Sequence, residues 1–374
     1  MKMETIAVHA GRKIDKSTGA VAPPLYLTST YERGADGKWP LGYTYAREEQ
    51  PNRESLEKCL AALEGGTEGL AFGSGLAVVA AALQGMEPGD HMLFPDDVYH
   101  GLRKTIGDVF AKSKLETTFV DMTDTDAIQN AVRPNTRLIW VETPSNPMLK
   151  LCDLTAIAGI ARKANAISIA DNTFATPVLQ RPLDFGIDMV MHSTTKYIGG
   201  HSDVVGGALI TRHDNYLFER ARKFQKYGGA VPSAFDCWLL RRSIDTLPLR
   251  VRQQSANALA IARWLQGQDA VDRVHYPGLP EHPRHDLACR QMSGGFGGML
   301  SFQVKGAKPE AMAVVARAKL FTRATSLGGT HSLIEHRASV EGPKSRTPQN
   351  LIRLSAGIEN AADLIADLEQ ALRS

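Results

Sequence analysis

A lone lysine, Lys196, follows a short apolar segment and stands between hydroxyl residues and glycines, in the stretch MVMHSTTKYIGG. The preceding apolar segment, ISIAD, ends on Asp171. A third such segment, GLAF, leads through Gly73, Ser74 and Gly75 into a helical pattern. Free backbone N–H groups at the start of a helix suit a phosphate. The three segments therefore offer an amine, a carboxylate and a phosphate cradle, each directly after a strand-like run.

These three groups match the requirements of pyridoxal phosphate. The lysine condenses with the aldehyde of this cofactor, and the aspartate keeps the pyridine nitrogen protonated so that the ring accepts electrons. Ser193 and Thr195 stand beside the lysine, and their hydroxyl groups suit the phosphate. Tyr99, in FPDDVYHG, supplies an aromatic ring that can stack on the cofactor. A surface lysine and a turn-capping aspartate are the plain alternatives, but the joint occurrence of all these parts favours the cofactor.

Short apolar runs alternate with helical patterns from RESLEKCLAALEG onward. This alternation predicts a doubly wound α/β domain around a mostly parallel sheet. Ligands of such sheets bind at the carboxyl ends of the strands, where Asp171 and Lys196 stand. We place this cofactor-binding domain at residues 53–245. The strand candidates are GLAF, HMLF, TTFV, RLIWVE, ISIAD, MVMHS and GGALIT.

The regions on either side have different patterns. Residues 1–52 mix proline, glycine and aromatic residues without a helical or strand period, which predicts an irregular arm that packs on a neighbouring subunit. After residue 245 a long helical pattern is followed by the strand-like runs GMLSFQV and LIRLSAG and by an amphipathic stretch, ENAADLIADLEQALR. We therefore predict a smaller C-terminal α+β domain at residues 246–374.

The composition excludes several other classes of protein. The 374 residues carry 43 Lys and Arg against 40 Asp and Glu, and no run of like charge indicates binding to nucleic acid or to a membrane surface. We see no signal-peptide core and no apolar run long enough to span a membrane. The four cysteines form no C-x-x-C pair, and His282 and His285 lack a third ligand nearby. We expect a cytoplasmic protein with reduced thiols and no metal site.

Four longer stretches resemble the cysteine and methionine metabolism family of pyridoxal phosphate enzymes, in the family's order. They are ETPSNPMLKLCDL, ADNTFATPVLQRPLDFGIDMVMHSTTKYIGGHSDVVGG, SLGGTHSLIEHRAS and LIRLSAGIEN. The family includes cystathionine γ-synthases, cystathionine β- and γ-lyases, methionine γ-lyases and homoserine sulfhydrylases. The resemblance implies fold type I, like that of aspartate aminotransferase, and a homotetramer built of dimers that share active sites.

The resemblance also implies a role for each residue that matches the family's motifs. Lys196 and Tyr99 would be catalytic, with Tyr99 stacking on the ring and helping in proton transfer. The cofactor would be held by Gly75, Leu76, Asp171, Ser193 and Thr195 of one subunit and by Tyr45 and Arg47 of its neighbour. The α-carboxylate of an amino-acid substrate would bind Arg353 and the backbone around Ser326, and Asn146 would touch the ring or this carboxylate.

The implied reaction is elimination or replacement at Cγ of an amino acid of the cystathionine or O-acylhomoserine type. β-Elimination from cystathionine and transamination are alternatives that use the same cofactor and fold type. Three departures from the family pattern leave the substrate and the leaving group open. They are the stretch Tyr99–Lys104, His331 at a position where many relatives carry glutamate, and HRASVEGP in place of H-P-A-S-M-T-H.

Overall fold

The apolar runs between residues 68 and 211 form one seven-stranded sheet in a computed structural model, which describes residues 1–342 and 345–373. Its strands are β1 (Glu68–Phe72), β2 (His91–Pro95), β3 (Glu116–Val120), β4 (Thr136–Glu142), β5 (Ile167–Asp171), β6 (Met189–His192) and β7 (Gly207–Thr211). Their order across the sheet is β1-β7-β6-β5-β4-β2-β3. The carboxyl ends of β4, β5 and β6 therefore lie side by side.

The strands from β6 to β3 across the sheet are parallel, whereas β7 runs antiparallel to both β1 and β6. The sheet is thus mostly parallel, as the sequence pattern predicts, and GGALIT forms its antiparallel strand β7. The connection from β6 to β7 is a loop that carries Lys196 and contains no helix. Because a parallel return needs a long crossover, this loop brings the chain back in the opposite direction.

Helices cover both faces of this sheet. The helices of the chain are α1 (Met3–His9), α2 (Pro51–Glu64), α3 (Gly75–Gln84), α4 (His100–Lys104), α5 (Thr125–Ala131), α6 (Leu154–Lys163), α7 (Thr176–Leu179), α8 (Tyr216–Gly228), α9 (Ala234–Ile244), α10 (Leu247–Gln266), α11 (His285–Gln291), α12 (Lys308–Arg317), α13 (Arg337–Glu341) and α14 (Ala361–Leu372). A π-helical turn at Thr105–Val109 and a 3₁₀ turn at Pro182–Phe185 complete them.

Alternate residues of the strands pack into two different hydrophobic cores, because successive side chains point to opposite faces of a sheet. In β6, Val190 packs with side chains of α2, α9 and α10. Its neighbours Met189 and Met191 pack with side chains of α3 and α8. Both faces are therefore buried, as in a doubly wound fold.

A second, five-stranded sheet follows α10. Its strands are β8 (Val271–His275), β9 (Met299–Val304), β10 (Thr322–Arg323), β11 (Leu333–His336) and β12 (Leu351–Ser355), in the order β10-β11-β12-β9-β8. Helices α10, α12 and α14 share its hydrophobic core. The segments GMLSFQV and LIRLSAG thus form neighbouring antiparallel strands.

The N-terminal arm contains one element that the sequence pattern does not reveal. Helix α1 packs through the fully buried Ala7 against α2, although its residues lack a clear helical period. The rest of the arm up to Gln50, which caps α2 by accepting a hydrogen bond from the Arg53 N–H, has no further helix or named strand. The predicted domain limits remain predictions. Among the described residues, no helix is both long and apolar enough to cross a membrane.

Candidate active site

The carboxyl ends of β4, β5 and β6 face a cavity of about 490 Å³ that residues of the C-terminal sheet also line. Ten of the twelve predicted site residues line this cavity, namely Gly75, Leu76, Tyr99, Asn146, Asp171, Ser193, Thr195, Lys196, Ser326 and Arg353. A larger cavity of about 690 Å³, lined by Lys150 and Arg284 among others, contains none of them. The smaller cavity is therefore the candidate active site.

The start of α3 forms one end of the cavity. The Ser74 hydroxyl caps the helix by accepting a hydrogen bond from the Ala77 N–H at 3.0 Å, which leaves the N–H groups of Gly75 and Leu76 directed outward. A Cβ atom added to Gly75 would lie 3.0 Å from Ser193 Cβ, so the glycine allows the helix start to approach the β6–β7 loop closely. The N–H groups at the start of α3 and the hydroxyl group of Ser193 thus lie close together at one end of the cavity, an arrangement that suits the binding of an anion.

Asp171 ends β5 at the wall of the cavity. Its Oδ1 accepts a hydrogen bond from the Thr173 N–H at 2.9 Å, and among the described residues no lysine or arginine forms an ion pair with it. Burial raises the pKa of this carboxyl group, while the hydrogen bonds from Thr173 and the charge of His192 oppose the rise. A protonated ring nitrogen would supply the positive partner that this carboxylate lacks.

Glu142 is a cavity residue that the sequence analysis missed. It ends β4 directly opposite Asp171 in the register of the sheet, and its Oε2 accepts a hydrogen bond from the Tyr99 N–H at 3.1 Å. Burial, followed by the charges of Asp171 and Asp97, raises its pKa well above the usual value. Its position at the end of RLIWVE was a usable signal, because polar residues that end such strands reach the same edge of the sheet.

Lys196 lies in the β6–β7 loop, and its Nζ donates a hydrogen bond to Ser326 Oγ at 2.8 Å. Burial, together with the positive charges of Arg353 and Arg337, lowers the pKa of the amine to about 8. Arg250 of α10 holds this loop in place, because its Nη1 donates a hydrogen bond to the Tyr197 carbonyl at 2.7 Å. The loop that carries the lysine is therefore fixed by a hydrogen bond, and the lowered pKa makes the neutral amine far more abundant near neutral pH than in an ordinary lysine.

Arg353 lies on β12 and is almost fully buried. Its Nη1 donates to Asn146 Oδ1 at 2.9 Å, and its Nη2 donates to the Ser326 carbonyl at 2.9 Å. The same Nη2 lies 2.6 Å from Glu335 Oε1. These contacts fix the guanidinium group on the wall of the cavity and link it to two other residues predicted from the sequence.

Two predicted residues lie outside the cavity. Tyr45 is exposed, and the guanidinium group of Arg47 lies over its ring at 5.6 Å while Arg47 Nη1 donates to the Lys226 carbonyl. Neither residue lines the cavity of its own chain. His331, one of the three departures, is also exposed and absent from the cavity lining, so within this chain it does not contact the site.

The residues of the cavity fit pyridoxal phosphate. The close approach of Gly75 to Ser193 provides a cradle for the phosphate at a helix start, and Asp171 provides a carboxylate without an ion-pair partner among the described residues. The amine of Lys196 lines the same cavity, with a lowered pKa that favours its condensation with an aldehyde. The amine of Lys196, the carboxylate of Asp171 and the phosphate cradle thus line the same cavity.

A doubly wound sheet with this constellation at its strand ends defines a pyridoxal phosphate enzyme of fold type I. The family model of Cys/Met metabolism PLP-dependent enzymes matches residues 4–373, and the chain belongs to this family. The family resemblance, the fold class, the enzyme class and the cofactor that the sequence predicts are thereby confirmed.

Three known proteins illustrate how similar the family members are. Cystathionine gamma-synthase of Mycobacterium tuberculosis is 48% identical over 374 residues, covering 98% of this chain and 96% of that protein. Cystathionine beta-lyase of Coxiella burnetii is 44% identical, with coverage of 99% and 97%. The crystal structure of the cystathionine gamma-lyase CalE6 from Micromonospora echinospora is 41% identical and superposes over all of both chains with a TM-score of 0.95.

Proposed function

We propose that this chain catalyses elimination or replacement at Cγ of an amino acid of the cystathionine or O-acylhomoserine type. The observation that carries the proposal is the placement of Lys196, Asp171 and Arg353 around one cavity. The amine and the carboxylate suit the aldehyde and the ring nitrogen of the cofactor, and the guanidinium group suits a substrate carboxylate. Reaction at Cγ is supported by two of the three relatives, which are named as a synthase and a γ-lyase.

Each part of the cofactor has a proposed partner in this chain. Lys196 holds the aldehyde, Asp171 holds the ring nitrogen, and Tyr99 covers the ring. The phosphate is held by the N–H groups of Gly75 and Leu76 and by the hydroxyls of Ser193 and Thr195. When bound, pyridoxal phosphate draws electrons from the substrate and so makes the Cα proton acidic.

The remaining work belongs to side chains of the cavity. Arg353 binds the α-carboxylate with charge-assisted hydrogen bonds and so orients the Cα–H bond toward Lys196. The lysine removes the Cα proton, which its lowered pKa makes possible near neutral pH. Ser326 Oγ accepts a hydrogen bond from the amine at 2.8 Å and keeps it beside the substrate. A second proton then leaves Cβ before the γ-substituent is expelled. Because Lys196 already carries the Cα proton, we assign the removal of the Cβ proton to Tyr99, and Lys196 can pass its proton to the departing γ-substituent.

β-Elimination is the second candidate reaction. It is supported by the 44% identity to a protein named cystathionine beta-lyase. The same residues would act, but no proton would need to leave Cβ because the leaving group is attached there. Transamination would also use these residues, and it requires a second keto acid as acceptor.

The products formed from cystathionine test the proposal. The purified holoenzyme is incubated with cystathionine alone, and the 2-oxo acid and the thiol are identified. We expect 2-oxobutyrate and cysteine, which report cleavage at Cγ. Pyruvate and homocysteine would replace this proposal with β-elimination, and a 2-oxo acid that forms only with an added keto acid would indicate an aminotransferase. If cystathionine gives no product, O-acylhomoserines with an added thiol test the replacement reaction, and failure there as well would contradict the proposal.

The arm supports a further proposal, a homotetramer of dimers that share their active sites. Tyr45 and Arg47 lie outside the cavity of their own chain, and the arm exposes apolar side chains such as Leu27 and Leu41. Such a surface is typical of a contact with another subunit. Tyr45 and Arg47 would then reach the phosphate of the neighbouring subunit.

Subunit mixing tests the shared site. Lys196→Ala and Arg47→Ala proteins should each be weakly active alone, and joint unfolding and refolding should restore activity, because one site of a mixed dimer then holds both native residues. The control pair, Lys196→Ala with Asp171→Ala, alters residues of one chain's cavity and should restore none if Asp171 and Lys196 act on the same cofactor. Restoration by neither pair, or a fully active monomer in sedimentation, would contradict the shared site.

We also propose a cytoplasmic location. The four cysteines are free, and three of them are buried, as is usual for proteins of reducing compartments. Recovery of the protein in the cytosolic fraction of fractionated cells would support this location. Recovery in an exported fraction would contradict it.

A further inference from the structure

Two of the three departures from the family pattern meet at the wall of the cavity. His100 belongs to the stretch Tyr99–Lys104, and Arg337 belongs to HRASVEGP, 237 residues away along the chain. In the fold, Arg337 Nη2 lies 3.3 Å from His100 Nδ1, and both side chains line the cavity. Neither residue has a part in the proposed chemistry, so their meeting needs a separate explanation.

Arg337 is held rigidly by acidic neighbours. Its Nε donates to Glu341 Oε1 at 2.9 Å, and its Nη1 lies 3.2 Å from Glu335 Oε1. With the contact to His100, the described residues account for three of the five N–H groups of a guanidinium group. Only 3% of the residue is exposed to solvent. Since buried N–H groups are costly when unsatisfied, the remaining donors favour a ligand that accepts hydrogen bonds inside the cavity.

His100 orients this guanidinium group through a hydrogen bond and also contacts the ring of Tyr99. Because Arg337 can only donate, His100 Nδ1 accepts the hydrogen bond, and the ring proton is assigned to Nε2. Burial and the charge of Arg337 lower the pKa of the imidazole, so the ring is neutral near neutral pH. The ring also packs edge-on against Tyr99, with centroids 4.7 Å apart. Arg337 is therefore linked through His100 to the tyrosine that we assign to the cofactor ring, and all three side chains line the cavity.

We propose that Arg337, held by His100, binds a carboxylate at the end of the substrate's γ-substituent. The proposal rests on the function proposed above, in which Arg353 binds the α-carboxylate. Arg353 and Arg337 contact the same oxygen of Glu335, at 2.6 and 3.2 Å, so the two guanidinium groups stand side by side on one wall. One carboxylate cannot fill the donor capacity of both groups, whereas an amino acid with a second carboxylate would pair with each. The preferred acyl group of a homoserine ester would then be succinyl rather than acetyl.

The unaltered holoenzyme provides the first test. kcat/KM is measured for O-succinylhomoserine and O-acetylhomoserine, with and without cysteine as the added thiol. These esters share the α-carboxylate and the γ-oxygen but differ in the distal carboxylate. We expect the succinyl ester to be preferred at least about tenfold, since only this ester can make charge-assisted hydrogen bonds through a distal carboxylate. Equal kcat/KM values for the two esters would overturn the proposal.

Substitution at position 337 assigns the preference to this residue. Arg337→Gln should reduce the ratio of kcat/KM for the succinyl ester to kcat/KM for the acetyl ester about tenfold, because only the succinyl ester carries the distal carboxylate. Arg337→Lys keeps the charge and should retain part of the preference. Arg103→Gln is the matched control, because Arg103 lies in the same departing stretch but packs over Phe119 outside the cavity lining.

The remaining outcomes also decide the question. Equal losses for both esters in Arg337→Gln would assign Arg337 to positioning Tyr99 and overturn carboxylate binding, as would a preference unchanged by the substitution. The cofactor content and Tm of each variant show whether it folds, and if Arg337→Gln does not fold, Arg337→Lys and the unaltered enzyme decide. If neither ester and not even cystathionine reacts, the proposed function fails rather than the role of Arg337.

Discussion

The two sides of the cavity are built differently. The cofactor side consists of residues at the ends of neighbouring strands and at the start of α3, where Asp171 and Glu142 carry raised pKa values. The substrate side consists of Arg353, Arg337, Glu335 and His100, which come from β12, α13, β11 and the start of α4 and hold one another by ion pairs and hydrogen bonds. Strand ends thus position the groups of the cofactor side, and a charged network positions those of the substrate side.

This difference separates the chemistry from the choice of substrate. Two of the three departures from the family pattern contribute residues to the substrate side, namely His100 and Arg337. Changes on the cofactor side should therefore affect every substrate and the cofactor itself. Changes on the substrate side should alter KM or the preference among substrates while the cofactor stays bound.

The largest effect is expected from Lys196→Ala, which removes the amine on the cofactor side. We expect kcat to fall at least about 10³-fold for every substrate, since general acid–base groups contribute about 10²- to 10⁴-fold. The control is Lys319→Ala, which alters an exposed lysine and should leave kcat unchanged. Steady-state kinetics with cystathionine and with the esters check this, and a variant that retains more than a tenth of the original kcat would remove Lys196 from its role.

Arg353→Ala should have the next largest effect, and a different one. Loss of the charge-assisted hydrogen bonds to the α-carboxylate should raise KM about 10- to 100-fold for all substrates alike, because all carry this group. The cofactor should remain bound, as its absorbance would show. An effect confined to one substrate would instead place a distal group at Arg353 and exchange its role with that of Arg337.

Gly75→Ala should weaken the phosphate cradle on the cofactor side. The added Cβ would lie 3.0 Å from Ser193 Cβ, so the cradle must widen, and we expect the Kd for pyridoxal phosphate to rise about tenfold. Gly73→Ala is the matched control, since its Cβ would meet only the Val231 carbonyl oxygen at 3.8 Å. Equal Kd values for the two variants, measured by titration of apoprotein, would show that the close approach has no part in cofactor binding.

The smallest effect is expected in the pH dependence of cofactor uptake. Its midpoint depends on Lys196 of the cofactor side and on the arginines of the substrate side. Burial and the charges of Arg353 and Arg337 lower the pKa of Lys196 from its usual 10.5 to about 8. Only the neutral amine attacks an aldehyde, so the rate at which apoprotein takes up pyridoxal phosphate should rise with pH and level off above about 8. Arg337→Gln removes one positive charge and should move this midpoint upward. A midpoint near 10.5 in the unaltered protein would contradict the lowered pKa.

The sequence predicted the cofactor side better than the substrate side, for a physical reason. ISIAD forms β5 with the predicted limits, and Asp171, Ser193 and Lys196 lie at strand ends because a short apolar run and the polar residue after it form one local unit. Glu142 was missed because its role depends on the order of the strands, which places β4 beside β5.

Long-range contacts account for the other differences. The contact between His100 and Arg337 joins residues that are 237 positions apart in sequence, and no local sequence pattern predicts it. The antiparallel direction of β7 follows from the loop that carries Lys196, and helix α1 follows from the packing of Ala7 against α2. Tertiary packing overrides a weak local pattern at α1, whereas the direction of β7 follows from the helix-free connection that precedes it.

The most direct test of the account is to find which lysine holds the cofactor. The holoenzyme is treated with borohydride, which fixes pyridoxal phosphate to the amine that carries it, and the digested protein is mapped by mass spectrometry. We expect the peptide containing Lys196 to carry the added group in stoichiometric amount. Labelling of another lysine, or of none, would contradict the assignment of this cavity as the active site.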